Sequence, residues 1–416
     1  MNASIRSHAG RAFRAAGLIA ALLHVSCGRQ NRPVRTLAVE AGKKFAGFQM
    51  KKIWSKDLYG RWCLPCPNGI VCSELSDRSN REYVFYLYDY AGNLVKQRKI
   101  PAGKGPNEIQ AGNEDSVWLS SPKAITIIDL DGYVKSMDTQ SLDVSTTLKL
   151  SNVIPGYGGR FDEGRISGTS WEENEGHIIT TFESTGFYED LTYYLVSMSI
   201  DFRDFRIHAV EKKSRPINWI RMEESRRKGQ GQLEDLVDYY GRWRTYRNFS
   251  ADWKRGVAYL IPDVERPEIK SINLQSNQKQ KYSIDIEATK FAIERAEFDA
   301  FYEYANSETP EMLKQRTKRI LFIPPHAPAL MATMVLNSHL LVITGKRNWQ
   351  KGENETLVFR LPDLQYEGSF DIPYSNCQKT KWSAPFYINV NTVKKEEDYA
   401  WRYDIYRLTE RPSEDH

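Results

Sequence analysis

Tyr83-Val84-Phe85-Tyr86-Leu87-Tyr88-Asp89-Tyr90-Ala91-Gly92-Asn93-Leu94-Val95-Lys96-Gln97 is the stretch that decides the fold. Its first six residues are aromatic or branched aliphatic, the side chains that fit a pleated, half-buried surface. Asp89 to Asn93 then supply turn chemistry: Asp bonds to its own backbone, and Gly takes a positive φ without steric cost. Leu94 onward returns to strand character, so the run reads as strand, tight turn, strand. About 40 residues later, Ala124-Ile125-Thr126-Ile127-Ile128 leads into Asp129-Leu130-Asp131-Gly132-Tyr133 and then Val134-Lys135-Ser136-Met137. Asp89 and Gly92 align with Asp129 and Gly132.

Four weaker copies follow: Tyr193–Ile200, Ile269–Leu274, Leu357–Leu361 and Trp401–Leu408, the first three each running into turn residues. A period of about 40 residues suits one four-stranded propeller blade, and blades arranged in a ring leave no long exposed edge. The expectation is an all-β chain, a six-bladed β-propeller over residues 48–410 with a helical insertion. Two stretches interrupt the pattern. Residues about 213–247 are rich in Arg and Lys. Residues about 286–319 carry apolar side chains at helical spacing, with Phe291, Phe298 and Phe301 on one face and a second start at Thr309-Pro310.

Composition agrees with a folded, strand-rich body: 41% hydrophobic, 27% charged and 12% aromatic residues, including 23 Tyr and 10 Trp. The N-terminus reads as an export signal. Arg6, Arg11 and Arg14 form a basic region, and Ala15–Leu23 is apolar but too short to span a bilayer. Losing residues 1–26 takes the formal charge from +5 to +2. No global field then steers the chain toward nucleic acid.

His24-Val25-Ser26-Cys27 resembles the lipobox of bacterial lipoproteins, with His24 where that family prefers Leu. The resemblance implies cleavage after Ser26, lipidation of Cys27, and a polar tether over residues 27–47. The alternative is ordinary signal-peptidase cleavage with Cys27 incidental. Three acyl chains anchor a protein stably, each buried CH₂ contributing about 0.8 kcal/mol. Membrane attachment through Cys27 in the bacterial cell envelope is therefore expected, and the lack of an acidic residue just after Cys27 leans toward the outer membrane.

Gly103-Lys104-Gly105-Pro106-Asn107-Glu108-Ile109, directly after the first hairpin, is similar to the G-x-G-P-x-E-[FI] segment of the six-bladed β-propeller lipoproteins of Bacteroides-type bacteria. Those proteins are themselves similar to NHL and TolB-type propellers. The resemblance implies a fold and a location; it implies no catalytic residue.

Among residues that could carry chemistry, Trp62-Cys63-Leu64-Pro65-Cys66 resembles a thioredoxin-type redox motif. Pro67-Asn68-Gly69 after it is a turn, however, and denies the helix that lowers such a thiol's pKa. In an oxidising compartment Cys63, Cys66, Cys72 and Cys377 are instead candidates for structural disulfides, with three possible connectivities. A bond to Cys377 would join the first blade to the end of the chain. The aromatic-basic stretch holding Trp219, Arg221, Trp243 and Arg244 could stack sugar rings or peptide side chains; the alternative is packing, with Arg over Trp.

His177, His208, His326 and His339 have no ligand spacing, and neither a G-x-S-x-G elbow nor a phosphate loop occurs. Asp129-Leu130-Asp131-Gly132 lacks the further ligands of a calcium loop and reads as a turn. No metal and no cofactor are expected. The function expected is binding of a protein or glycan partner through a loop-bearing face. A propeller enzyme of the lactonase or glycan-cleaving type is the second reading, and a structural envelope protein the third.

Overall fold

The computed structural model describes residues 33–75, 82–103, 105–109, 117–129, 132–154, 161–172, 177–184, 191–199, 204–213, 233–238, 249–292, 317–322, 326–373, 381–383, 385–395 and 398–411. Among the described residues the strands form six antiparallel sheets that follow one another along the chain. Sheet I is Gly60–Cys66, Gly69–Leu75, Glu82–Tyr88 and Leu94–Pro101. Sheet II is Val117–Ser121, Ala124–Ile128, Tyr133–Asp138 and Val144–Lys149. Sheet III is Phe161–Glu172, His177–Ser184, Leu191–Ser199 and Arg206–Lys213.

Sheet IV is Phe249–Asp252, Val257–Leu260, Glu268–Asn273 and Lys279–Ile284, with Arg35–Leu37 as a fifth strand beyond the last. Sheet V is Leu330–Leu336, His339–Asn348, Glu353–Arg360 and Gln365–Pro373. Sheet VI takes three strands from the C-terminal end, Lys381–Ser383, Phe386–Lys395 and Asp398–Glu410, and its fourth from Phe48–Leu58. The first strands of sheets I to V touch in succession, I to II, II to III, III to IV and IV to V, and Asp398–Glu410 of sheet VI touches the first strand of sheet I. This all-β arrangement of successive meanders around their first strands is a β-propeller fold.

The six sequence segments fall one to a sheet, but not at one position within it. The Tyr83 hairpin joins the third and fourth strands of sheet I, whereas the Ala124 hairpin joins the second and third of sheet II. The two turns are nonetheless built alike. Gly92 N–H donates to Asp89 O (3.0 Å) and Gly132 N–H to Asp129 O (2.9 Å), with φ of 91° and 74° at the glycines. The feature that recurs at one position was not visible in the residue pattern. It is a bond from the turn after a third strand to the turn after the first: Thr139 N–H to Lys123 O, Leu274 N–H to Gly256 O, and Leu361 N–H to Ser338 O, at 2.7 to 2.9 Å.

An even number of alternating strands brings the chain into and out of each sheet at the same end. The links between sheets and the second-to-third turns therefore share one end, and the first-to-second and third-to-fourth turns share the other. Hydrogen bonds within the link end agree: Leu150 N–H donates to Gly132 O (2.8 Å) and Ala329 N–H to Val264 O (2.7 Å). At the opposite end the described turns are all short. Both interruptions noticed in the sequence lie in links, between sheets III and IV and between sheets IV and V. Each contributes one strand, Leu233–Asp238 and Thr317–Phe322, and these pair in parallel as a two-stranded sheet outside the other six.

Two expectations need correction. The stretch 286–319 is not a helix over its described part. Ala288–Lys290 is one 3-10 turn, residues 317–319 begin the strand Thr317–Phe322, and residues 293–316 lie outside the described residues. The expected tether, 27–47, is not free chain to its end either. Arg35–Leu37 edges sheet IV with Leu37 buried, and Lys43 to Phe45 bond Ser369 of sheet V: Ser369 N–H to Lys43 O at 2.9 Å and Phe45 N–H to Ser369 O at 2.8 Å. One N-terminal segment thus runs as a belt along the outer edges of sheets IV, V and VI. Its last strand is clasped by Asp57, whose carboxylate accepts from Arg402 Nε (2.7 Å) and sits near Lys395 Nζ (2.8 Å). Hydrogen bonds from Arg402 and Lys395 hold its pKa down at about 2. Farther along, Ser55 Oγ and Lys52 Nζ both donate to the buried Asp404, at 2.6 and 3.0 Å.

Candidate functional site

The link end carries the long connections, and its described part begins at the G-x-G-P-x-E-I segment. Glu108 folds back so that Oε2 accepts from Gly105 N–H (2.7 Å), while Glu108 N–H donates to Gly105 O (3.1 Å). A Cβ on Gly103 would stand 2.0 Å from Glu108 Oε2, and one on Gly105 would stand 2.8 Å from Glu108 Cδ. Any side chain at either position would displace the carboxylate, which gives the two glycines and the Glu of the motif one common cause. Ile109, buried, then docks into the core under sheets I and II.

Lys135 of sheet II fastens this loop from below. The residue is wholly buried, and its Nζ donates to Gly105 O (2.8 Å) and to Thr146 Oγ1 (2.7 Å). Thr146 in turn donates to Pro106 O (3.1 Å). Burial pushes the Lys135 pKa down, opposed by the nearby negative charges of Asp129 and Glu108. A buried ammonium is tolerated because it is hydrogen-bonded and faces carboxylates. The segment is a structural joint between sheets I and II.

A second polar constellation lies between sheets III and IV. Ser197 Oγ is 2.6 Å from His208 Nε2, and His208 Nδ1 is 2.7 Å from Asn277 Oδ1. Burial pushes the His208 pKa down, helped by Arg206 on its own strand, while the Asn277 hydrogen bond opposes the shift. In the neutral ring that fits these partners, Nδ1–H donates to Asn277 and Nε2 accepts from the Ser197 hydroxyl. The order Ser, His, Asn resembles a hydrolytic relay in its spacing alone. Ser197 and His208 are both buried, and Ser197 lies within the strand Leu191–Ser199, paired to Ile179 on one side and Arg206 on the other. The group is a seam, joining the outer strands of sheet III to the third-to-fourth turn of sheet IV. Sequence reasoning missed it because it draws single residues from three elements.

The cysteines separate. Cys63 and Cys72 face each other across the first two strands of sheet I and form a disulfide. Cys66, three residues after Cys63, is free and buried, and burial pushes its thiol up to about 12. Cys66 therefore departs from the expected disulfide set, and Cys63 does not form a dithiol with it. Cys377 and Cys27 lie outside the described residues, as do Trp219, Arg221, Trp243 and Arg244. Among the described residues, no group of three or more His, Cys, Asp or Glu is placed to hold a metal ion.

No family model and no curated protein matches the chain. Among solved structures it is similar to apo AztD from Citrobacter koseri, at 10% identity over 72% of this chain and 59% of that one, with a TM-score of 0.30. It is also similar to the WD40 repeats of RRP9, at 8% identity over 89% and 99% of the two chains (TM-score 0.38), and to U3-55K, at 10% over 87% and 99% (TM-score 0.37). The chain spans 59% of the length of AztD. The fold itself is read from the six sheets and the contacts of their first strands.

Proposed function

We propose that this chain is a lipid-anchored, six-bladed propeller of the bacterial cell envelope, at the outer membrane, that binds a protein or glycan partner through its link end. The observation that carries the reading is the asymmetry of the two ends. One has only short described turns. The other sends out the two longest links of the chain, and both contribute to the pair Leu233–Asp238 and Thr317–Phe322. Loops carried by a rigid scaffold are where proteins place recognition. The first of these links holds Trp219, Arg221, Trp243 and Arg244, a composition suited to sugar rings and to peptide side chains alike. The export signal ending at Cys27 and the G-x-G-P-x-E-I joint support the cellular setting. The buried state of Ser197 and His208 weighs against a hydrolytic reading of that group.

The test is site-specific photo-crosslinking in intact cells. A crosslinking amino acid at Trp219 or Trp243 is expected to capture one envelope component, and the same probe at exposed Gln140, in the opposite end, none. Capture at Gln140 alone, or equally at all three positions, sinks the reading.

A further inference from the structure

The belt and the lipid anchor constrain each other, and from this we infer that the outer edge of sheet IV is the membrane-facing rim of the molecule. The inference rests on the proposed lipidation of Cys27. Leu37 is the first buried residue of the belt, fixed on sheet IV by its own burial and by Asp285 N–H donating to Leu37 O (3.0 Å). The chain between Cys27 and Leu37 therefore spans at most about 35 Å even when fully extended. A compact body of this length has a radius of gyration of about 21 Å and is about 50 Å across. The leash is shorter than the molecule is wide, so sheet IV cannot turn away from the bilayer. Sheet I, three sheets away around the ring, carries no such constraint.

The exposed chemistry of this rim suits a lipid headgroup surface. Lys279 and Lys281 are exposed on the strand Lys279–Ile284, and the leash that leads to this edge carries Arg29, Arg32 and Arg35 in its sequence. Basic residues next to an anchored chain add attraction to anionic headgroups. Exposed Asp285 and Glu287, the latter paired with Lys290, are the acidic groups at the end of the same edge. Both long links flank sheet IV, so the proposed binding end would work close to the bilayer.

Two reporters on the full lipidated chain test this. A fluorescent amino acid replaces Gln278 at the edge of sheet IV, or Gln97 on the outer strand of sheet I; both positions are exposed. Each protein is reconstituted into phosphatidylethanolamine–phosphatidylglycerol vesicles carrying a headgroup nitroxide quencher. Quenching is expected to be several-fold stronger at Gln278 than at Gln97. A Gly-Ser insertion after Asn31 that doubles the leash should narrow the gap. Equal quenching at the two positions in vesicle-bound protein with the native leash overturns the orientation alone. Protein that never enters the vesicle pellet overturns the Cys27 anchor and the inference with it.

Discussion

Sheet IV meets its two neighbours by different physics. Toward sheet V the seam is mainly apolar: Tyr259, Ile261 and Val264 pack with Leu330, Val342 and Phe359 in one buried cluster, and the polar pair across it, Ser250 Oγ donating to Thr333 Oγ1 at 3.1 Å, does not titrate. The belt then crosses the outer edges of both sheets. Toward sheet III, Ile179 and Leu195 meet Phe249 and Leu260, and beyond them the contact turns polar, through Ser197, His208 and Asn277. An apolar seam is indifferent to pH and to exact geometry within a rotamer. A hydrogen-bonded seam contributes less, leaves polar groups without partners when one member is removed, and carries a group that titrates. The III–IV link, with the proposed binding residues, follows the strand Arg206–Lys213 that carries His208, but leaves it at the other end.

The largest effect should come from removing the belt. Deleting residues 33–58 uncovers the outer edges of sheets IV to VI and takes away the strand Phe48–Leu58, which pairs with Asp398–Glu410 along its whole length. The expected result is loss of a cooperative thermal transition by circular dichroism. A truncated chain melting within a few degrees of the parent would show that sheet VI closes without its fourth strand.

Next in size is Phe359→Ala, at a side chain with no exposed surface in the apolar seam. Truncating a buried Phe costs about 3–5 kcal/mol through lost transfer energy and the cavity left behind, measurable by urea unfolding. His208→Leu at the polar seam should cost less, about 1–3 kcal/mol, the loss attached to leaving Asn277 and Ser197 without their partner. If the two variants lose stability in the reverse order, the contrast between the seams is wrong.

How much of this was legible depended on whether the determinants were local. The Asp89–Asn93 and Asp129–Tyr133 turns were readable, because a turn's requirements sit within five residues. The register of the repeat was not, because Asp138-Thr139-Gln140-Ser141-Leu142 and Asn273-Leu274-Gln275-Ser276-Asn277 share a conformation more than a sequence. In both, the side chain of the first residue accepts from the N–H groups two and three residues on, and the fifth residue has φ of 58° or 56°. Only the first part of the belt, up to residue 47, was read as a tether; Phe48–Leu58 was placed in the propeller, but nothing near it announces a partner some 350 residues away. Its burial does not alternate strictly along the strand. Of the site, the joint at Gly103–Ile109 was noticed as a motif, but its cause, the carboxylate of Glu108 over two glycines, needed coordinates. The Ser197–His208–Asn277 seam left no local trace.

The smallest effect is the most selective, and it separates the seams by pH. His208 is held below its ordinary value of 6.5 in the folded chain. Below 6.5 the unfolded chain binds a proton that the folded chain refuses. The stability contributed by the neutral ring is therefore fully present above about pH 6.5 and lost as pH falls toward the folded value. Arg206 on its own strand is the charged group that bears on the ring, and it repels the added proton; Ser197 and Asn277 are uncharged. The Asp57 clasp behaves differently: with its pKa lowered from 3.8 to about 2, its contribution is intact down to about pH 4 and fades only below that. Between pH 7.5 and 5 the III–IV seam should loosen while the belt clasp holds. Hydrogen exchange, corrected for intrinsic rates, is expected to show Leu191–Ser199 and Arg206–Lys213 losing protection over that range. The strands His339–Asn348 and Glu353–Arg360 should keep theirs. His208→Gln retains hydrogen-bonding atoms without a titrating ring and should flatten the response. An unchanged pH slope in that variant would assign the loosening to some other group.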